Sequence, residues 1–314
     1  MPPENFTSAY LKTFEEGLFP DIMNKAHLML KACAVCPREC GVDRTEDESG
    51  FCESGYLPEV SSYSPHFGEE SPLVGRHGSG TIFFTHCNLG CLFCQNYSIS
   101  HLGEGSKISI LQLAKVMVGM QKRGCHNINF VSPTHFVPQI LQALPQAIQM
   151  GLSVPLVYNT GGYDSVETLK LLDGIFDIYM PDFKYSQGNI SQQYSQAPDY
   201  PSVAKKALKE MFRQVGDLQV DKEGIATRGL LVRHLVLPDN MAGTKEVMRF
   251  LAQEISKKTY VNIMDQYHPC GHIPPDSPLH RRITTEEYSQ AVATAKEEGI
   301  TRLDSREKFR LVWF

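Results

Sequence analysis

The sequence contains no uninterrupted apolar run approaching the roughly 20 residues that a membrane-spanning helix needs. No internal repeat or low-complexity tract interrupts it either. These absences exclude a helical membrane span and a repeat array. An excess of basic charge is also missing: 30 Lys and Arg stand against 35 Asp and Glu, giving a formal net charge of −5. Without a basic footprint, nucleic acid is not indicated as the main partner. The N-terminus, Met1-Pro2-Pro3-Glu4-Asn5, lacks the basic and apolar regions of a secretory signal, which predicts a cytoplasmic location. The 314 residues, 42% hydrophobic and 21% charged, fit a soluble globular protein with one large domain and a small appendage.

Cysteine, by contrast, is plentiful. Nine are present, and seven fall at metal-ligand spacings in a chain without an export signal, so metal is a better explanation than disulfides. Cys87, Cys91 and Cys94 form C-x3-C-x2-C. Soft thiolates so close together suit an iron–sulfur cluster or zinc, and three of them leave one coordination position open. A zinc loop completed by His86 or a distant ligand is the competing use. Cys33, Cys36, Cys40 and Cys52 form a closed set of four among turns at Gly41, Gly50 and Gly55. Zinc would tie this segment into a small module, and an auxiliary iron–sulfur cluster fits the same ligands. Cys125 precedes an apolar strand as a small buried residue, and Cys270, in Pro269-Cys270-Gly271-His272, reads as packing, with an additional site role as the alternative.

Helical character around Tyr10 to Leu30 is followed by a segment, from about Ala32 to Gly80, that reads as irregular. From Thr81 short β-branched or aromatic runs alternate with helical patterns, the signature of βα units around a parallel sheet. The predicted strands are 81–85, 127–131, 154–158, 176–180, 230–237 and 260–264. Helices are marked by Leu113, Val116, Met117 and Met120, and by Pro201 ahead of Ala204, Leu208, Met211 and Val215. Capping boxes are predicted at Asp164-x-x-Glu167 and at Thr284-x-x-Glu287, the latter opening a helix that Gly299 can close. The pattern fits an open doubly wound sheet or a partial barrel, and both place active sites beyond the carboxyl ends of the strands.

With Phe93 before its third cysteine and Thr81-Ile82-Phe83-Phe84 before its first, the three-cysteine loop resembles the cluster loop of the radical S-adenosylmethionine (SAM) superfamily. The whole chain resembles the pyruvate formate-lyase activating enzyme-related group, in its PflX-like branch. The supporting segments are Cys36-Pro37-Arg38-Glu39-Cys40, His66-Phe67-Gly68-Glu69-Glu70, Ser132-Pro133-Thr134-His135-Phe136, Tyr158-Asn159-Thr160-Gly161-Gly162 and Met180-Pro181-Asp182-Phe183-Lys184-Tyr185. The resemblance implies an α/β fold, a partial (β/α)6 TIM barrel over 76–314 with a C-terminal extension, behind a helical and cysteine-rich metal-binding segment over 1–75. It implies that Cys87, Cys91 and Cys94 hold a [4Fe-4S] cluster, that SAM is the cosubstrate, and that reductive SAM cleavage abstracts hydrogen from a substrate. A low-potential donor such as flavodoxin or ferredoxin would supply the electron. The nearest named relatives activate glycyl-radical enzymes, making a protein or peptide the substrate. Modification of another peptide or a small molecule, or a non-catalytic iron–sulfur or zinc protein, are the alternatives.

The resemblance also supplies candidate SAM contacts. Ser132 and Thr134 stand where activases commonly carry Gly-Gly-Glu; they offer oxygen acceptors to an ammonium, although a polar turn would use the same residues. Asn159 and Thr160 match a polar strand-end motif whose glycines let backbone approach a ligand. Asp182 and Lys184 match an Asp-Leu-Lys segment, and alternate residues share a face. Arg233, in an apolar run, needs an anion that the SAM carboxylate would provide, while His234 points to the opposite face. His268 is a candidate adenosine or SAM contact, with Asp265 and Tyr267 as weaker substrate-side candidates.

Overall fold

The computed structural model describes residues 6–304. Residues 1–5, on which the N-terminal prediction rests, and residues 305–314, the end of the expected C-terminal extension, lie outside the described residues.

The strands are β1 (Glu59–His66), β2 (Ser79–Phe84), β3 (Ser106–Lys107), β4 (Ile128–Val131), β5 (Leu156–Thr160), β6 (Ile178–Pro181), β7 (Gln219–Val220), β8 (Ala226–Leu235), β9 (Tyr260–Met264) and β10 (Arg302–Leu303). They make one mixed, open sheet in the order β10-β9-β8-β6-β5-β4-β2-β1-β3, with β7 pairing to β8. From β2 through β10 along that path every pair is parallel. β1 is antiparallel to both of its neighbours. All six predicted strands form within a few residues of their expected bounds. The central ones are buried along nearly their whole length, as parallel strands covered on both faces must be.

The helix signals hold where they depend on local sequence. Ile110–Lys122 buries Leu113, Met117 and Met120, and Tyr200–Val215 starts on Pro201. Thr284 and Glu287 form the expected reciprocal capping box on Thr285–Glu297. Two predictions are corrected. Asp164 caps nothing: the helix Val166–Leu171 has Ser165 at its N-cap position, without a side-chain cap bond. Asp164 instead accepts hydrogen bonds from three buried hydroxyls, whose combined bonding outweighs a single amide bond at a helix start. The segment from Ala32 to Gly80 is not irregular throughout, because it contains β1. The exposed middle of that strand conceals its strand character, and only its pairing with β2 defines it.

The two ends of the parallel strands differ in content. At the amino ends, Asp177 accepts from the backbone N–H groups of Ala9 and Leu156, anchoring the first helix, Ala9–Glu15, under the sheet. Asn127 donates to Leu73 O and accepts from Ser79. The carboxyl ends carry the thiols and the charged groups.

Candidate functional site

β2 runs directly into the three-cysteine loop. His86, with φ of 61°, and Gly90, with φ of 67°, turn the chain so that Cys87, Cys91 and Cys94 line a single cavity of about 380 Å³. Each sulfur accepts a hydrogen bond: Cys87 from Leu89 N–H at 3.4 Å, Cys91 from Ser195 Oγ at 3.0 Å, and Cys94 from Ser100 Oγ at 3.2 Å. Burial pushes the Cys87 thiol up to about 12, and burial also raises Cys91 although the nearby Lys184 charge opposes it. Cys87 and Cys91 therefore keep their protons until a metal displaces them.

Facing the thiols is an ion cluster built from successive strand ends. Arg233 donates from Nε to Asp182 Oδ1 and from Nη2 to Asn159 Oδ1, both at 2.7 Å. Lys184 Nζ donates to the other Asp182 oxygen. Burial opposes ionisation of Asp182, but the Arg233 and Lys184 charges overcome it and hold the carboxyl below its ordinary range. Burial likewise works against the charge on Lys184, yet Asp182 pushes its pKa up. A carboxylate gripped by two cations sets this wall's shape before any ligand arrives.

A third wall comes from the turn after β1. His66 Nδ1 lies 2.9 Å from Glu69 Oε1, and Glu70 accepts from Asn262. Burial opposes the Glu69 charge, but the bond from His66 and the Arg233 guanidinium keep its pKa low; the same bond raises His66. His66, Glu69 and Glu70 all line the cavity. In the sequence they belong only to the family segment His66-Phe67-Gly68-Glu69-Glu70, where a histidine three residues before an acidic pair is the one local signal.

The predicted contacts divide. Ser132, Asn159, Thr160, Asp182, Lys184 and Arg233 line the cavity with the three thiols. Thr134 and His268 are not among its lining residues. Thr134 lies beneath the floor, donating to Asp164 at 2.7 Å, where Thr160 and Tyr158 also donate. The His268 ring sits beside Gln95, while its neighbours Gln266 and Tyr267 reach the cavity and Asp265 does not. His234 faces away as expected, its ring nitrogens meeting Phe183 O and Thr244 Oγ1. Gly162, with φ of 79°, admits the backbone of Asp182, where a Cβ would collide; the close approach is to protein rather than to a ligand. Cys125 is buried, and the Cys270 thiol donates to Phe93 O at 3.2 Å beside the loop.

Cys33, Cys36 and Cys52 are buried and Cys40 half-buried, all as free thiols. Burial pushes Cys36 up to about 12, and the other three add to the rise; the Phe51 N–H, next to Cys52, donates to Cys40 Sγ at 3.4 Å. Among the described residues no three His, Cys, Asp or Glu side chains are gathered as a metal-ion site. A four-iron cluster does not require one, since its thiolate ligands each hold a different iron. For the three-cysteine loop the donor chemistry fits: three soft sulfurs, each with a hydrogen-bond donor, on one wall of one cavity. For the four cysteines the residue type and burial suit a metal, but their present arrangement is not that of a single bound ion.

The fold and site define an α/β protein with a thiol-lined, charge-walled cavity at the carboxyl ends of parallel strands. Over 310 residues the chain is 30% identical to Uncharacterized protein MJ0674 of Methanocaldococcus jannaschii, covering 95% of this chain and 84% of that one. It belongs to the same family as that archaeal protein. No protein-family model matches. Among solved structures, the chain is similar to the radical S-adenosylmethionine methyltransferase TsrM of Kitasatospora setae, solved with cobalamin and a [4Fe-4S] cluster. That likeness has a TM-score of 0.43 and 12% identity, covering 60% of this chain and 36% of TsrM. It is also similar to anSMEcpe with bound AdoMet, at a TM-score of 0.45 and 11% identity, covering 68% of this chain and 55% of that one. The chain thus spans well under two thirds of each of these solved chains.

Proposed function

We propose that this protein is a radical SAM enzyme built on a partial (β/α)6 barrel. The observation that carries the reading is the convergence of Cys87, Cys91 and Cys94 with the Asp182–Lys184–Arg233 cluster and Asn159 on one cavity. A non-catalytic metal protein has no use for such a charged wall facing its thiols. When bound, a [4Fe-4S] cluster supplies the electron for reductive SAM cleavage, yielding methionine and the 5′-deoxyadenosyl group that takes hydrogen from the substrate. Cys87, Cys91 and Cys94 would hold it, leaving one position for SAM. Arg233 and Lys184 are the cations within reach of the SAM carboxylate, and Asp182 fixes both. Asn159, Thr160 and Ser132 supply oxygens on the floor. Glu69 and His66 line the remaining wall of the cavity.

Zinc or an auxiliary iron–sulfur cluster at Cys33, Cys36, Cys40 and Cys52, a flavodoxin- or ferredoxin-type electron donor, and a cytoplasmic location belong to the same proposal. Among the described residues, no helix is long and apolar enough to cross a membrane. The substrate we favour is a protein or peptide, as in glycyl-radical activation; this rests on the family segments in the sequence. The test is anaerobic reconstitution with iron, sulfide, SAM and a reductant, following 5′-deoxyadenosine by mass spectrometry with candidate protein partners added. Reductant-dependent 5′-deoxyadenosine supports the enzyme, and stimulation by one partner identifies the substrate. A fully loaded protein that leaves SAM intact overturns the proposal.

A further inference from the structure

Arg38 lies in the turn between Cys36 and Cys40, yet its side chain leaves that turn and ends at the three-cysteine loop. Its Nε donates to Asn88 O at 3.0 Å and its Nη2 to Leu89 O at 3.2 Å. The same Nη2 donates to Ser195 O at 3.0 Å, and Nη1 donates to Gln196 O. All four acceptors are backbone carbonyls. Two belong to the loop between Cys87 and Cys91, and two to the end of the helix whose Ser195 hydroxyl donates to Cys91 Sγ. The guanidinium lies over two rings, 3.7 Å from the Phe51 centroid and 5.2 Å from that of Tyr163. Phe51 precedes Cys52, and its ring also meets the loop: a Cβ added at Gly90 would come within 3.1 Å of it. Asn88 closes the circuit by donating to Tyr163 O at 2.6 Å.

We propose that Arg38 is the positioning residue of the three-cysteine loop, a strut through which the four-cysteine turn sets where Cys87 and Cys91 stand. The physical reason is geometric. A guanidinium presents five donors in a rigid plane and can bridge two pairs of carbonyls at once, whereas an ammonium on a flexible stem cannot hold them at fixed separation. Charge alone does not explain the arrangement, because none of the acceptors is a carboxylate. The loop between Cys87 and Cys91 has no regular secondary structure of its own, so its carbonyls depend on an outside donor. Any change that moves the four-cysteine turn, metal loading included, is transmitted to the thiols through Arg38 and the Phe51 ring stacked on it. The functional meaning of the strut rests on the proposed role of the three thiols, but its existence does not.

The test is hydrogen exchange on the full chain, purified anaerobically, for wild type, Arg38→Ala and Arg38→Lys, with mass-resolved thiol alkylation of the same samples. Losing charge-assisted bonds to two loop carbonyls is expected to speed exchange across 88–91 and alkylation of Cys91 by roughly tenfold or more. Arg38→Lys is expected to fail to restore protection, while Cys125, buried elsewhere, stays unreactive in both variants. Exchange across 88–91 unchanged in both variants, or full rescue by lysine, overturns the strut. Where Arg38→Ala also exposes Cys125, Arg38→Gln decides, since it keeps a planar polar side chain but cannot bridge the four carbonyls: selective loss at 88–91 supports the proposal, and no loss or a global one overturns it. Electron paramagnetic resonance of reconstituted wild type reduced with dithionite, with and without SAM, separately tests the cluster. A silent wild type with a selectively loosened Arg38 variant defeats the enzyme reading and leaves the strut standing.

Discussion

β6 is four residues long and has a buried aspartate immediately beyond each end, and the two are held in opposite ways. Asp177, at the amino end, meets two backbone N–H groups. Burial dominates there and pushes its carboxyl up to about 7. Asp182, at the carboxyl end, is also buried, but Arg233 and Lys184 hold it ionised. One end spends its polar groups on fastening the fold together, and the other concentrates fixed charge around a cavity. In a sheet of parallel strands this is the division expected between a stability face and a reactive face.

The largest effect that sharpens this contrast is catalytic. Replacing Cys87, Cys91 and Cys94 together with alanine should reduce reductant-dependent 5′-deoxyadenosine to background, while thermal unfolding stays close to that of the unreconstituted parent. Undiminished SAM cleavage would remove function from the carboxyl end and collapse the contrast.

Next comes Asp182→Asn, which leaves Lys184 and Arg233 facing each other without their carboxylate. Breaking a buried pair in this way typically costs about 3–5 kcal/mol, measurable by urea unfolding at neutral pH. The pH dependence has a definite sign. The folded pKa of Asp182 is depressed below 3.8, so the stabilisation is present above the unfolded value and is lost as pH falls through the folded one. A variant as stable as wild type, with unchanged acid sensitivity, would show that the ion cluster does not hold that end together.

Asp177→Asn tests the other end and carries the opposite sign. With a folded pKa near 7 against an ordinary 3.8, the native state binds more protons than the unfolded chain between those values. Stability should therefore decline as pH rises through that window. The asparagine variant should flatten this decline in denaturant midpoints taken across the window. Wild-type stability that rises with pH over that range would mean the two aspartates are alike after all.

The smallest effect belongs to neither end. Thr284→Ala removes one half of the capping box on Thr285–Glu297 and should cost about 1 kcal/mol. The denaturant midpoint should move with no change in SAM cleavage, giving a scale for purely structural loss.

Legibility in the sequence followed the distance over which each feature is determined. Thr284 and Glu287 cap as predicted because both partners lie within one turn. Asp164 fits the same local pattern but instead accepts from Thr160 and Tyr158 on the preceding strand and from Thr134, 30 residues away, bonds that a helix-cap pattern does not register. Arg233 was legible as a buried cation needing an anion, and it faces the cavity. Its internal partners, Asp182 and Asn159, come from two other strands. His268 was assigned by its place in a segment, but the chain after β9 brings Gln266 and Tyr267 to the cavity instead.

By itself the sequence determined the thiol spacings, the alternation of strands and helices, and the local caps, since each depends on periodicity or on neighbours a few residues apart. Tertiary structure decided which polar groups share a cavity, that β1 joins the sheet, and that Arg38 reaches from one cysteine group to the other. Those outcomes rest on contacts between distant segments, several of them to backbone carbonyls, and a carbonyl is the same at every residue and leaves no mark in the sequence.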